Sequence, residues 1–433
     1  MKKALIIANI FHASPRIPGL VSYFSDAGWQ PTLITIPLKS GNQKKLLLPD
    51  EFRKKVRIIE TEYYGDIFIN LRAALKKIGF SSQKSILDQA KAKSGLKSKS
   101  FLIDFIFKAY TTFFAYPDEE KKWMKPAFKA ARDLLNKEKF DIIISSSSPV
   151  SAHIVAKKLK EKYKLPWIAD LRDLWTQNHS YPYFKARKIF EKNLELKTLN
   201  FADALITVSQ PLAENLKRLH RKPIFWITNG FEPNILNNGE ELTKKFTITY
   251  TGQIYDGNQD PVKVIEALSE LVSKGVINKD DLEVNFYGLE KNWFKDKVEY
   301  YGLTDCVNQN GFIPRQEIIH KQRQSQILLK LNWENPSHTG GYTGKIFEYL
   351  AARRPILATG GFEKDITKEL LETTKAGIFC PEIKDIKKAL NEFYLEYKNN
   401  GQVAYKGDWN EINKFNYKNL SKQFVEVLNN YAK

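Results

Sequence analysis

Short, unbroken apolar runs, each followed by small or polar residues and then by a segment of helical spacing, recur along this chain. KALIIANI (3–10) is apolar at nearly every position, the pattern of a strand buried on both faces. The loop HASPRIPG follows it, and residues 17–27 read as a helix ending at Gly28. PTLITIP (31–37), VRIIETEY (56–63), FDIIISSSSP (140–149), LPWIADLRDLW (165–175), ADALITVS (202–209) and IFWITNGFEP (224–233) read as further strands, with VSAHIVAKKLKEKY a helix between two of them. This strand, turn, helix rhythm predicts an α/β fold with a doubly wound parallel sheet. The NGFEP turn, with its Gly and Pro, reads as a hinge. A second alternating unit follows, with strands at FTITYTGQ, LEVNFYG, CVNQNGFIP, ILLKLNW, RPILATG and AGIFCP. Two Rossmann-like domains are therefore expected, over 1–228 and 229–412, with a last helix in 413–433.

Residues 66–135 break the rhythm and read as a helical insertion in the first domain. In FLIDFIFKAYTTFFAY (101–116), Asp104, Lys108, Thr111 and Thr112 fall at i, i+4, i+7 and i+8, one narrow polar stripe on an otherwise apolar helix. Such a helix either packs on its own domain or lays its aromatic face in a membrane interface.

Composition narrows the classes. A chain of 433 residues, 42% hydrophobic, is long enough for two cores. Cys306 and Cys380, far apart, form neither a disulfide framework nor a metal-binding spacing and fit a reducing compartment. MKKALIIANIF starts basic but continues as a strand with no small-residue cleavage site, so no secretory signal is expected, and no apolar run is long enough to span a bilayer. The net charge of +19 suits an anionic membrane, nucleic acid or an acidic substrate, or reflects a Lys-rich composition alone. It is unevenly spread: Arg72, Lys76, Lys77, Lys84, Lys91, Lys93, Lys97 and Lys99 face a single acid, Asp88, between positions 71 and 100.

Candidate chemistry concentrates at 337–361, SHTGGYTGKIFEYLAARRPILATGG. Gly340, Gly341 and Gly344 permit positive φ and close approach of the backbone to a ligand, and Lys345 and Glu348 fall one helical turn apart on one face. Free N–H groups at a helix start and one Lys suit a diphosphate, while a carboxylate one turn along accepts hydrogen bonds from ribose hydroxyls. The competing view is a Gly-rich turn before an ordinary amphipathic helix carrying a Lys–Glu pair. In a parallel sheet ligands sit beyond the carboxyl ends of the strands, which places His12, Ser14 and Arg16 there. The serine run of 145–148 either binds an anion or caps a helix, with His153 in that helix's first turn. Asp170, Arg172, Asp173 and Trp175 end another strand, suiting sugar hydroxyls or general-base work, or else an internal Arg–Asp ion pair.

The segment GKIFEYLAARRPILATG resembles the donor-site signature of glycosyltransferases of the GT-B fold, family 4 and its polysaccharide-assembly relatives. YPDEEKKWMKPAF, SSSSPVSAH and WIADLRDLW resemble N-domain motifs of bacterial enzymes that build O-antigen, lipopolysaccharide, exopolysaccharide and capsule chains. The resemblance implies two Rossmann-like sheets facing across a cleft, donor on the C-terminal domain and acceptor on the N-terminal one. Glu348 would hold the ribose, and the turn of Gly340, Gly341, Tyr342, Thr343 and Gly344 would cradle the diphosphate. Gly252 and Gln253 match the first strand and loop of the nucleotide domain, and Phe312 and Ile313 the loop beside the base. Two positions depart from the pattern: Gly340 stands where many members have a second Glu, and Gln253 where many have a phosphate-binding Arg. Lys345 is then the main cation on the leaving diphosphate with Arg16 as helper, Asp173 the candidate for the acceptor hydroxyl, and His12, His153, Asp170 and Arg172 the acceptor or sugar contacts.

The expected donor is a nucleoside-diphosphate sugar, UDP first among the nucleotides, with no cofactor and no metal, since no Asp-x-Asp signature is evident. The acceptor would be a glycan or a polyprenyl-diphosphate-linked sugar, with retention of configuration, and the enzyme would be cytoplasmic and peripheral at an anionic membrane. Two rivals stay open: a sugar-nucleotide 2-epimerase of similar frame, and a non-catalytic nucleic-acid binder, although the basic residues form no recognised reader motif.

Overall fold

The computed structural model describes residues 1–40, 48–49, 51–65, 109, 112–179, 181, 183–236, 239–336 and 340–432. The Lys-rich stretch 71–100, most of the expected aromatic helix 101–116 and the first part of the insertion lie outside the described residues. The chain divides into two compact units, one of Met1–Ile227 with Ser421–Lys433 and one of Thr228–Leu420.

The first unit holds seven strands: β1 (Lys2–Ile7), β2 (Trp29–Thr35), β3 (Arg57–Glu60), β4 (Ile142–Ser147), β5 (Trp167–Leu171), β6 (Ala204–Thr207) and β7 (Ile224–Trp226). They are ordered β3-β2-β1-β4-β5-β6-β7, all parallel, so the winding reverses between β1 and β4. β1 and β4 are central because they are apolar, or internally satisfied, on both faces: Ala4 to Ile7 and Ile142 to Ile144 are at most 1% exposed. Each fully buried Ile or Leu there contributes about 1.5–3 kcal/mol by leaving water. The expected helix over 17–27 is shorter, Arg16–Val21, and the chain then closes through a 3-10 turn, Ser25–Ala27, into Gly28 at φ +81. Of the insertion, Met124–Leu135 is helical and buries Ala127, Ala131 and Leu134. The last helix, Tyr417–Asn429, runs into this unit, where Trp29 Nε1 donates to Asn429 Oδ1 at 3.1 Å and Phe24 meets Phe424.

The second unit holds β8 (Phe246–Thr251), β9 (Leu282–Tyr287), β10 (Val307–Gln309), β11 (Ile327–Leu331), β12 (Ile356–Thr359) and β13 (Gly377–Cys380), ordered β10-β9-β8-β11-β12-β13 and all parallel. Its winding reverses between β8 and β11, so a crevice for ligands is expected beyond Thr251 and Leu331. Cys306 and Cys380 are free and buried.

Candidate functional site

The chemistry of the second unit gathers at that reversal. After β8 the chain turns at Gly252, φ +117, where a Cβ would lie 2.7 Å from Lys345 Nζ. A side chain there would be strained and would displace the lysine, so this glycine is a condition of the arrangement. Lys345 opens the helix Gly344–Ala352, which two contacts lock onto β8: Tyr349 Oη accepts from Thr251 N at 2.9 Å, and Lys345 Nζ donates to Tyr250 Oη at 2.9 Å. The ammonium also sits over the Tyr250 ring, 4.2 Å from its centroid. Burial, then repulsion from Lys330, lowers the Lys345 pKa to about 7, with Glu348 acting in the opposite sense. Lys330 itself lies on β11, 3% exposed, with its ammonium donating to Leu331 O and Asn332 Oδ1 and its pKa lowered by burial to about 8. Neither lysine forms an ion pair with a carboxylate among the described residues.

The start of this helix is open. Its N-cap residue Thr343 makes no side-chain capping bond, its hydroxyl is buried without a partner, and Gly344 has empty space where a Cβ would be. Unsatisfied N–H groups, a hydroxyl and an underpaired lysine make a site for an anion. Of the three glycines expected at positive φ only Gly340 has it, at +99; Gly341 and Gly344 supply room rather than an unusual backbone. Glu348 does not pair with Lys345: Arg315 Nη1 donates to Glu348 Oε1 at 2.8 Å. Arg315 opens the helix Arg315–Gln324, directly after Phe312 and Ile313, and Phe312 is 74% exposed with a bare aromatic face. Gln253 is exposed, its carbonyl accepting from Tyr250 Oη, the same hydroxyl that accepts from Lys345. Tyr342 is half-buried and packs edge-on against Phe347.

In the first unit several expected site residues turn out to be spent on one another. Arg16 and Asp170 are 1% and 0% exposed and form an ion pair at 2.9 Å, and Ser146 Oγ donates to Asp170 Oδ2 at 2.7 Å. A guanidinium buried this deeply needs a countercharge, so Arg16 is not available as a helper on a diphosphate and Asp170 is not a free sugar contact. The internal Arg–Asp pair considered for the β5 loop thus exists, but with Arg16. Arg172 instead donates to Ser147 O at 2.9 Å and Ser148 O at 3.2 Å, holding the end of β4. His153 is fully buried, with Nδ1 2.7 Å from Ser145 Oγ, which also accepts from Trp167 Nε1, and burial takes its pKa down to about 4. It is a neutral core histidine against Ser145 of β4, near enough to Asp170 for that carboxylate to act on it. His12 is exposed, 3.8 Å from Glu120, whose carboxylate also accepts from Tyr63 Oη and Asn9 Nδ2. Asp173 is exposed and makes no ion pair or hydrogen bond with another described residue, leaving its carboxylate available. Tyr250, Arg315 and Lys330 were not singled out from the sequence. Lys330 alone left a signal there, as a lone charge inside the apolar run ILLKLNW.

Among the described residues no group of His, Cys, Asp or Glu side chains is placed to hold a metal ion, and no helix is long and apolar enough to cross a membrane.

Two parallel Rossmann-like sheets of seven and six strands, with an anion-ready helix start at the reversal of the second, make the architecture that of GT-B glycosyltransferases. The family model for Glycosyltransferase Family 4 matches residues 102–234. No curated protein matches the sequence. Among solved structures the chain is similar to HepE of Anabaena in complex with UDP, TM-score 0.61 at 13% identity, covering 99% of this chain and 100% of that one. It is also similar to the lipopolysaccharide outer core galactosyltransferase WaaB, TM-score 0.55 at 12% identity with 99% of each chain covered. A putative UDP-N-acetylglucosamine 2-epimerase from Listeria monocytogenes matches at TM-score 0.52 and 11% identity, covering 99% of this chain and 96% of that one. At such identities the likeness is one of fold.

Proposed function

We propose that the chain is a glycosyltransferase that takes a sugar from a nucleoside-diphosphate donor, UDP foremost, and passes it to a glycan or lipid-linked acceptor in bacterial surface polysaccharide synthesis. The observation that carries this is the helix start at Gly344: uncapped N–H groups, the buried Thr343 hydroxyl and Lys345 at one point, with Glu348 one turn along. The diphosphate binds at the helix start with Lys345, the ribose hydroxyls donate to Glu348, whose other contact is Arg315, and Phe312 offers a face to the base. As the glycosidic bond breaks, negative charge grows on the departing diphosphate. The helix N–H groups and the Lys345 ammonium stabilise it, so the reading needs no metal. Asp173 is the candidate for the acceptor hydroxyl, and retention of configuration follows from the resemblance alone. A lipid-linked acceptor would place the enzyme at the inner face of the cytoplasmic membrane.

Nucleotide release is the test. Incubated with a panel of UDP-sugars, the protein should release UDP in the presence of a polyprenyl-diphosphate-linked sugar and far less without it, and chelation of metals should leave the rate unchanged. Conversion of the donor alone into its epimer would replace the transferase by the epimerase reading. Failure to bind UDP at all would remove both.

A further inference from the structure

Beyond the carboxyl ends of β11 and β12 lies a recess that reaches the turn before the Gly344 helix. Trp333, Tyr342 and Phe362 give it aromatic sides, and Lys330, Asn332, Asp365 and Thr367 give it polar groups. Thr343, whose buried hydroxyl has no partner, belongs both to its lining and to the helix start.

The polar groups use one another only in part. Asn332 Oδ1 accepts from Lys330 Nζ at 2.9 Å and from Thr367 Oγ1 at 3.1 Å. Lys330 Nζ also donates to Leu331 O, so two of its three N–H groups are engaged. Asp365 Oδ1 caps the helix Ile366–Thr374, accepting from Thr367 N at 2.8 Å, while its Oδ2 makes no hydrogen bond with a described residue. Room for that second oxygen depends on Gly361, φ +89, where a Cβ would meet it at 2.9 Å.

The charges about the recess balance. Lys330 and Asp365 are the charged residues of its lining; they form no ion pair, and the carboxylate acts on the ammonium from farther off. Just outside, Lys345 is repelled by Lys330 and Glu369 acts on Tyr342, again one of each sign, while Glu334 is held by Lys263 at 3.0 Å. An occupant with a net charge would meet attraction and repulsion together, whereas an uncharged one with donors and acceptors meets only partners. Hydroxyl groups have both functions. Aromatic sides, negative on their faces, suit the C–H groups of a sugar ring.

We propose that this recess receives one edge of the donor's sugar, a neutral hexose, and that Asp365 selects it. Sugar hydroxyls donate to Asp365 Oδ2 and accept from the third N–H of Lys330. The proposal rests on the transferase reading and narrows it. A diphosphate at the Gly344 helix start brings the sugar bonded to it to the mouth of the recess, and a uronate there would set its carboxylate against Asp365.

Isothermal titration without acceptor tests it, using UDP, UDP-glucose, UDP-galactose, UDP-N-acetylglucosamine and UDP-glucuronate. The tightest of the three neutral donors should bind about tenfold or more tightly than UDP-glucuronate. Asp365→Asn and Asp365→Ser each keep a side chain that caps a helix, so their unfolding midpoints should match the parent's. Both should weaken that neutral donor by about tenfold, leave UDP unchanged and strengthen UDP-glucuronate, closing the selectivity from both sides. A merely structural role would weaken UDP and every donor alike. UDP-glucuronate bound as tightly as the neutral donors, an Asp365 effect equal on UDP and on the sugars, or no effect of either variant on any sugar would each overturn the proposal. UDP binding by the parent separates the two readings: with it present these outcomes remove only the sugar recess, and with it absent the transferase reading falls as well.

Discussion

With a pKa near 7, Lys345 is about half charged at pH 7 and about one part in a hundred charged at pH 9 in the free protein. A diphosphate at the helix start favours the ammonium, so binding above pH 7 takes up a proton. By linkage the affinity for UDP falls by up to about tenfold per pH unit above 7, until the pKa of the bound state is passed. From pH 7 to pH 9 the dissociation constant should therefore rise by up to ~50-fold, about 2.3 kcal/mol. Below pH 7 the contribution of Lys345 levels off, since the ammonium is present in both states. UDP itself contributes little above pH 7, because the second ionisation of a phosphoryl group lies near about 6. Lys330, near 8, steepens the fall at the alkaline end, and a Lys345→Arg variant separates the two by keeping a charge at 345 throughout. The assay is isothermal titration with UDP at several pH values, each in two buffers of different ionisation enthalpy, so that proton uptake is read directly. Approaching one proton taken up per UDP at pH 8 in the parent, and clearly less in Lys345→Arg, is the expected result. A parent profile flat between pH 7 and 9, with no proton uptake, would refute the placement of the diphosphate beside Lys345.

Three further outcomes follow from the same geometry. Lys330→Met should stabilise the second unit: at pH 7 the folded state carries the full cost of lowering this pKa from 10.5 to about 8, up to about 3 kcal/mol, while Leu331 O and Asn332 Oδ1 keep Gln259 and Thr367 as donors. That gain is complete below pH 8 and fades toward pH 10.5, so urea unfolding at pH 7 and pH 10 should show it shrinking; an equal gain at both would show that charge is not its source. Glu348→Ala should weaken binding of UDP and of uridine alike, by about 1.5–3 kcal/mol per charge-assisted bond lost, whereas Lys345→Met should weaken UDP and spare uridine; calorimetry with both ligands decides, and equal losses of UDP alone would move Glu348 off the ribose. Asp173→Asn should lower acceptor-dependent turnover by about 10²–10⁴-fold with UDP affinity unchanged, and an unaltered rate would return Asp173 to the solvated surface.

The parallel sheets were legible because their strands are buried on both faces and so read as unbroken apolar runs, a signal that needs no knowledge of partners. Helix limits were less so: the expected helix over 17–27 stops at Val21, and a 3-10 turn supplies the remaining descent to Gly28. What sequence could not supply was pairing. Spacing along a helix speaks only of neighbours within a turn or two, and it placed Lys345 opposite Glu348. The fold overrides that local pair with Tyr250 for the lysine and Arg315 for the glutamate, 95 and 33 residues distant. Arg16 meets Asp170 across 154 residues, which no motif foretold and which turns two expected ligand contacts into a closed internal pair.

That difference in pairing separates the two units chemically. In the first, the buried charges answer each other: Arg16 with Asp170, and Arg187 with Glu191. In the second, Glu348 is already answered by Arg315, so Lys345 and Lys330 remain as ammonium groups held by neutral oxygens, close enough that one depresses the other. Two desolvated positive charges with no carboxylate in ion-pair contact, Asp365 acting on Lys330 and Glu348 on Lys345 only from farther off, are an unfavourable arrangement for folding alone, as the lowered pKa values of both show. They become favourable when an anion supplies the missing countercharge. The uncapped helix start and the orphaned Thr343 hydroxyl lie beside Lys345, on the residues immediately before it. The same deficit in charge and in hydrogen bonding at one point is what a nucleoside diphosphate would fill, and it is the argument for the proposed donor site on the second unit.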